Sequence, residues 1–190
     1  MNRPLGRTFY MRPAAQVARE LLGKIVSLED ASGRIVETEA YLGEDDAAAH
    51  SARGITPRTR VIFGPPGHAY VYFIYGMYDC LNIVCEPEGV AGGVLIRALE
   101  PLTGLDQMRR RRPAAKRDED LANGPGKLTR ALGIKISHNG VDVTKGPITI
   151  HAPERNEPFE IATSARIGIT KSADLPLRFF IKGNRSVSRR

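Results

Sequence analysis

The chain has 190 residues, 42% hydrophobic and 26% charged, with a formal net charge of +7. That length carries one domain with a real core, and the composition is ordinary for a soluble globular protein. No apolar run reaches the roughly 18 residues of a membrane helix, and the N-terminus lacks a signal-peptide core, so membrane and secreted classes are excluded and a cytoplasmic protein is expected, nucleoid-associated if bacterial.

Taken in chain order, residues 13–23 read as a helix. Pro13 suits its first turn, Gly23 its stop, and Ala14, Val17, Ala18, Leu21 and Leu22 form one apolar face. Residues 24–28 and 34–42 read as strands joined by Asp30-Ala31-Ser32-Gly33. Residues 68–75, 79–85 and 93–99 read as three more, separated by turn residues. A helix over 103–112 ends at Pro113, a polar loop spans 113–123, and a short helix over 124–133 stops at Gly133. Short strands are expected near 147–151, 165–170 and 177–182, with a frayed basic tail over 185–190. This order predicts an α+β fold: one domain over 1–184, with a curved, mostly antiparallel sheet, a protruding hairpin and peripheral helices.

The positive charge fits a polyanionic partner, or a soluble protein that is merely basic. Acidic residues cluster at 37–46 and 118–120, so the charge is uneven. Cys80 and Cys85 have no second Cys or His pair at zinc spacing, and read as buried apolar thiols rather than a metal or disulfide site.

Two dense segments carry the chemistry. Alternation along 34–42 puts Val36, Thr38, Ala40 and Leu42 on a core face and Ile35, Glu37, Glu39 and Tyr41 on the opposite surface. A glutamate beside an aromatic ring can be tuned for proton transfer, although an ordinary solvated strand face gives the same pattern. His50 follows three small alanines, with Asp45 or Asp46 as a helix cap; alone it fits a structural or a catalytic role. Residues 70–78 hold four of the six tyrosines, and there is no tryptophan. Tyr70, Tyr72 and Ile74 share one face, and Tyr75 precedes Gly76 at a hairpin tip. There a rigid ring could wedge between stacked bases, while Tyr72 could form a pocket wall. Core packing is the alternative, weakened because each buried hydroxyl needs a partner. Asn82 and Arg97 each interrupt an apolar strand and must be satisfied, structurally or by a ligand. The run Arg109 to Arg112 fits either phosphate contact or a solvated helix end.

Together RIVETEAYLGEDDAAAHS (34–51), TPR (56–58), YVYFIYGMYDCLN (70–82), VLIRALEP (94–101), NGPGKLTRALGI (123–134) and PLRFFIKG (176–183) resemble the alkyladenine (3-methyladenine) DNA glycosylase family. The resemblance implies a monofunctional enzyme of base excision repair. It would flip an alkylated or deaminated purine from duplex DNA and hydrolyse its N-glycosidic bond. Glu39 would be the general base, and Arg97 would help to position the water or the adjacent phosphate. Tyr41, His50 and Tyr72 would enclose the base. Asn82 would clash with the 2-amino group of guanine, Leu95 would line the pocket, and Tyr75 would fill the gap in the duplex. Arg109, Arg110 and Lys127 are candidate phosphate contacts. No lysine lies in the two core motifs to form a Schiff base, so no strand nicking is expected. No cofactor, metal or protein partner is implied, and a monomer suffices.

Two other classes remain open. One is a non-catalytic nucleic-acid binding module that stacks bases on its aromatic hairpin. The other is a carbohydrate hydrolase using Glu37 and Glu39, although alternates on one strand face lie only about 7 Å apart and the positive charge goes unexplained.

Overall fold

The computed structural model describes residues 3–155 and 157–188. Four α-helices are found among them: α1 (Arg7–Tyr10), α2 (Ala14–Leu21), α3 (Leu105–Arg111) and α4 (Pro125–Leu132). The strands are β1 (Ile25–Leu28), β2 (Ala31–Tyr41), β3 (Ala69–Ile74), β4 (Tyr78–Val84), β5 (Gly93–Thr103), β6 (Ile148–His151), β7 (Ile161–Ser164) and β8 (Arg178–Ile181). They form one antiparallel sheet in the order β3-β4-β5-β2-β1-β6. β2 is long enough to fork the sheet. Its first residues pair with β1 (Leu28↔Ala31 to Ile25↔Arg34), and Glu37, Thr38 and Glu39 pair with β8, which in turn pairs with β7. The chain is an α+β domain of mostly antiparallel sheet, as its order of elements predicts.

The pleat assigns the two faces of the sheet. Ala69 and Val71 of β3, Leu81 and Ile83 of β4, and Val94, Ile96 and Ala98 of β5 enter the main core. α2 packs there through Ala14, Val17, Ala18 and Leu21, and α4 through Leu128, Ala131 and Leu132. The alternate residues Tyr70, Tyr72, Cys80, Asn82, Leu95 and Arg97 face a cavity on the other side. Both faces of β2 are therefore covered, and Glu37 and Glu39 are fully buried rather than on a solvated face. Register shifts in the β2–β5 ladder around Glu37 re-aim this strand locally.

Several elements differ from the sequence expectation. α1 is a single turn, too short to show a period. The β1–β2 turn falls at Glu29, with φ 53°, and Ala31, Ser32 and Gly33 belong to β2. Gly33 reads as a turn residue but serves close approach instead: a Cβ there would lie 2.9 Å from Leu99 Cβ. The strand expected over 165–170 does not form. β7 ends at Ser164, and the following loop is held by the Arg166 side chain on backbone carbonyls of Ala40 and Ser172. No α-helix follows Asp46; residues 43–45 and 50–53 are 3-10 turns. The tail is packed as far as it is described: Ser186 and Val187 are buried, and Ser188 donates to Glu37. Arg189 and Arg190, also expected to fray, lie outside the described residues.

Gly43 links β2 to the turn that carries His50. Its φ is 85°, and a Cβ there would clash with the carbonyl oxygen of Ala91. Gly43→Ala combines left-handed strain with a backbone clash. Its expected cost is roughly 2–4 kcal/mol, read as a lower urea midpoint at unchanged m-value.

Candidate active site

The cavity on the open face of the sheet has a volume of about 530 Å3. That is the size range of small-molecule sites. β3, β4 and β5 supply its sheet wall, residues 48–51 and 167–169 its sides, and the β3–β4 hairpin and the start of α4 its rim. Tyr41, His50, Tyr72, Asn82, Leu95, Arg97, Tyr75 and Lys127 all line it, so eight of the eleven candidate residues converge on one space.

Glu39 lies just behind this wall, fully buried. Three groups that line the cavity hold it. Tyr41 Oη donates to Oε2 at 3.1 Å, the Ile167 amide donates to Oε1 at 2.7 Å, and Arg97 Nη1 lies 3.3 Å from Oε2. Burial pushes the Glu39 carboxyl above the usual carboxylate range, against the opposing pull of Arg97, the Ile167 amide and the Tyr41 hydroxyl. Glu37 is buried too, but more completely partnered. Oε1 accepts from Arg97 Nε at 2.9 Å, Arg178 Nε at 2.8 Å and Ser188 Oγ at 2.9 Å, and Oε2 accepts from the Ser188 amide at 2.7 Å. Burial raises its pKa, but Arg97, the Ser188 amide and Arg178 outweigh burial and hold it below the usual range. Two neighbouring carboxylates are thus pushed apart in acidity, the pattern by which a protein assigns distinct roles to like groups.

The aromatic wall is fixed by edge contacts. The His50 ring meets Tyr72 at 4.6 Å between centroids and an interplanar angle of 80°. His50 Nδ1 is 3.1 Å from Tyr70 Oη, and Arg58 Nη2 is 3.3 Å from His50 Nε2. A guanidinium only donates, so these partners assign Nε2 as acceptor and place the proton on Nδ1. Burial, with the charge of Arg58, lowers the His50 pKa to about 4, so the ring is neutral at physiological pH. Arg58 also lies over the Tyr72 ring at 5.3 Å. Asn82 Nδ2 donates to the Tyr70 carbonyl at 3.3 Å, which anchors the amide at the cavity wall. At the rim, Ile74 accepts from the Met77 amide, and both central residues have positive φ, Tyr75 at 55° and Gly76 at 66°. A tight turn of this kind projects Tyr75, which is 78% exposed.

The basic run on α3 divides. Arg109 is paired with Asp118 and Asp106, and both Arg109 and Arg110 border a separate depression rather than the cavity. Arg111 caps α4 by donating to the carbonyls of Ala131 and Leu132, and Arg112 lines the cavity. The loop from Asp118 folds back onto Arg109, which the sequence spacing alone does not show.

Arg166 is the main residue that sequence reading missed. Its guanidinium makes two bonds to Asp46, one of them 2.8 Å, and lies 4.7 Å over the Tyr41 ring. It therefore fixes both Tyr41 and the Ile167 amide, two of the three partners of Glu39. The signal was present: Arg166 interrupts the run Ala165-Arg166-Ile167, as Arg97 interrupts Ile96-Arg97-Ala98.

Residues 8–185 match the family model described as Methylpurine-DNA glycosylase (MPG). The chain belongs to the methylpurine-DNA glycosylase family. It is 52% identical over 192 residues to a protein of Methanoculleus marisnigri named "Putative 3-methyladenine DNA glycosylase", covering 98% of this chain and 99% of that protein. Proteins of the same name from Burkholderia cenocepacia and Bradyrhizobium diazoefficiens are 51% and 49% identical, covering 96% and 100% of this chain and 89% and 92% of their own lengths. Membership in this glycosylase family makes DNA the substrate polymer and hydrolysis at N-glycosyl bonds the chemistry. No helix among the described residues is long and apolar enough to cross a membrane.

The Asp46–Arg166 pair is buried at both ends. Asp46→Asn leaves Arg166 uncompensated, with an expected cost of roughly 3–5 kcal/mol by urea denaturation at neutral pH. Burial raises the Asp46 pKa, but the bonds from Arg166 and the amides of Leu42 and Ala48 outweigh it, so the folded value lies below the unfolded one. Its contribution is present at neutral pH and is lost as pH falls through the folded value. The gap between wild type and Asp46→Asn should accordingly narrow in acid.

Proposed function

We propose that this glycosylase is monofunctional and removes alkylated or deaminated purines from duplex DNA, using a water activated by Glu39 and leaving an abasic site. The observation that carries the reading is a buried carboxylate of raised pKa, held by three lining groups at the edge of an aromatic cavity with a projecting tyrosine at its mouth. Such a cavity suits a base taken out of the stack, at a cost of a few kcal/mol that is least for a damaged pair. Tyr75 fills the space the base leaves. Tyr41, His50 and Tyr72 enclose the purine, and their rings attract a cationic N-alkylated base by about 0.5–2 kcal/mol. Leu95 packs against its face, and Asn82, anchored on the Tyr70 carbonyl, meets its edge and opposes a 2-amino group. Lys127 contacts a flanking phosphate. Arg109 and Arg110 stand off the cavity, so their contacts to DNA are to more distant phosphates.

Water attacks C1′ as the bond to the purine nitrogen breaks, and the bond's electron pair leaves with the base: a cationic alkylated purine departs neutral, and a deaminated one departs as an anion that takes its proton from solvent. Glu39 accepts the proton from water and opposes the oxocarbenium-like charge, as carboxylates do in glycoside hydrolysis. Arg97 keeps Glu39 ionised and oriented. Glu37 is immobilised by four hydrogen bonds and depressed in pKa, which argues against a paired-carboxylate sugar hydrolase.

Glu39→Gln should slow single-turnover release of hypoxanthine from a duplex by about 10²–10⁴-fold while lesion binding persists. Full activity in that variant would sink the mechanism, and tight lesion binding by a wild type that releases no base would make the protein a binding module. The base must be ionised, so the wild-type rate should fall as pH drops, along a limb displaced above the usual carboxylate range. His50, with a pKa of about 4, should add no limb near neutrality. Tyr75→Ala should weaken lesion-duplex affinity by roughly tenfold to a hundredfold in a titration, the loss of one stacked ring.

A further inference from the structure

The family match ends at residue 185, yet the site does not. Ser188, three residues further on, donates to both oxygens of Glu37: through its amide to Oε2 at 2.7 Å and through Oγ to Oε1 at 2.9 Å. Its Oγ also accepts from Arg97 Nη2 at 3.4 Å. Arg97 reaches Glu37 through Nε and Glu39 through Nη1, so one guanidinium spans both carboxylates and the tail. The segment is seated by packing. Val187 enters the main core, Ser186 is buried and donates from its amide to Asn184 Oδ1, and Asn184 donates to Glu100.

We propose that Ser186–Ser188 is a positioning segment of the active site, in which Ser188 shares the hydrogen-bond demand of Glu37 and thereby leaves Arg97 oriented toward Glu39. The inference rests on the reading of Glu39 as the general base. Glu37 and Ser188 touch no substrate in this scheme; both act through Arg97. The groups facing Glu39 are Glu37 and Tyr41 from β2, Arg97 from β5, and Arg166 with the Ile167 amide from the loop after β7. Those facing Glu37 are Glu39 from β2, Arg97, Arg178 from β8, and Ser188.

Removing the Ser188 donors makes Glu37 draw more heavily on Arg97, which weakens the hold of Arg97 on Glu39. Protonation of Glu39 then becomes easier, and the acid limb of the rate moves to higher pH. Neutralising Glu37 acts in the opposite direction: a like charge beside Glu39 disappears and Arg97 answers to Glu39 alone, so the limb moves to lower pH. A tail with a merely structural role would lower the folded fraction without moving the limb in either variant.

The test is single-turnover release of hypoxanthine from a duplex oligonucleotide across the acid-to-neutral range. It uses full-length wild type, Ser188→Ala, Ser188→Pro, Glu37→Gln and Glu39→Gln, each titrated for folded, lesion-binding protein. Ser188→Pro, which loses both donors, should be slower on the order of tenfold with its limb raised. Ser188→Ala, which keeps the amide, should show a smaller shift of the same sign, and Glu37→Gln a lowered limb. Ser188 variants with the wild-type rate and limb, alongside an inactive Glu39→Gln, overturn the tail's role and leave the general base in place. An active Glu39→Gln overturns both.

Discussion

Two carboxylates two residues apart on β2, buried with one guanidinium between them, set the conditions for the rest of this fold. A charge out of water is costly unless it is paired and hydrogen-bonded, and two like charges at this spacing oppose one another as well. The chain answers unequally. Glu37 accepts four hydrogen bonds from β5, β8 and the tail; Glu39 receives fewer and lies against the cavity. The inequality holds the Glu37 carboxyl below the usual carboxylate range and leaves that of Glu39 above it. The fork of the sheet at β2 brings β8 alongside, and from there Arg178 reaches Glu37.

The cavity follows from the plain period of the sheet. On β3, β4 and β5, one set of alternate residues is aliphatic and packs on α2 and α4, while the other is aromatic, polar or small and faces open space. Because both sets are fixed by the same backbone, the stability of the helical side holds the geometry of the other. The loops that close the cavity are tied by charge rather than by ladder hydrogen bonds. Arg166 holds Asp46 and overlies Tyr41, and Arg58 bonds Tyr70 and His50. These guanidiniums act on ring orientation and on the neutral state of His50, so part of the positive charge is spent inside the fold.

What remains outside is uneven, which suits a surface that meets DNA at one face. The hairpin presents Phe73, Tyr75 and Met77 to solvent, an exposed apolar tip of the kind that marks an interaction surface. Lys127 and Arg112 sit at the cavity, whereas Arg109 is occupied by acidic neighbours.

The sequence by itself determined a good deal: the antiparallel α+β order, the alternation that faces Tyr70 and Tyr72 one way, the exposed turn at Tyr75, and the candidates around Glu39. Those features depend on local period and on residue type, which a linear reading retains. Tertiary structure alone decided the burial of Glu37 and Glu39, because whether a strand's second face meets solvent depends on what distant segments cover it. It also decided which arginines serve the site. Arg166, Arg178 and Ser188 reach β2 from positions 126 to 151 residues away in sequence, and Arg109 is claimed by a loop that folds back. Charge pairing acts through space at a few ångströms, so the sequence holds the charges but not their partners.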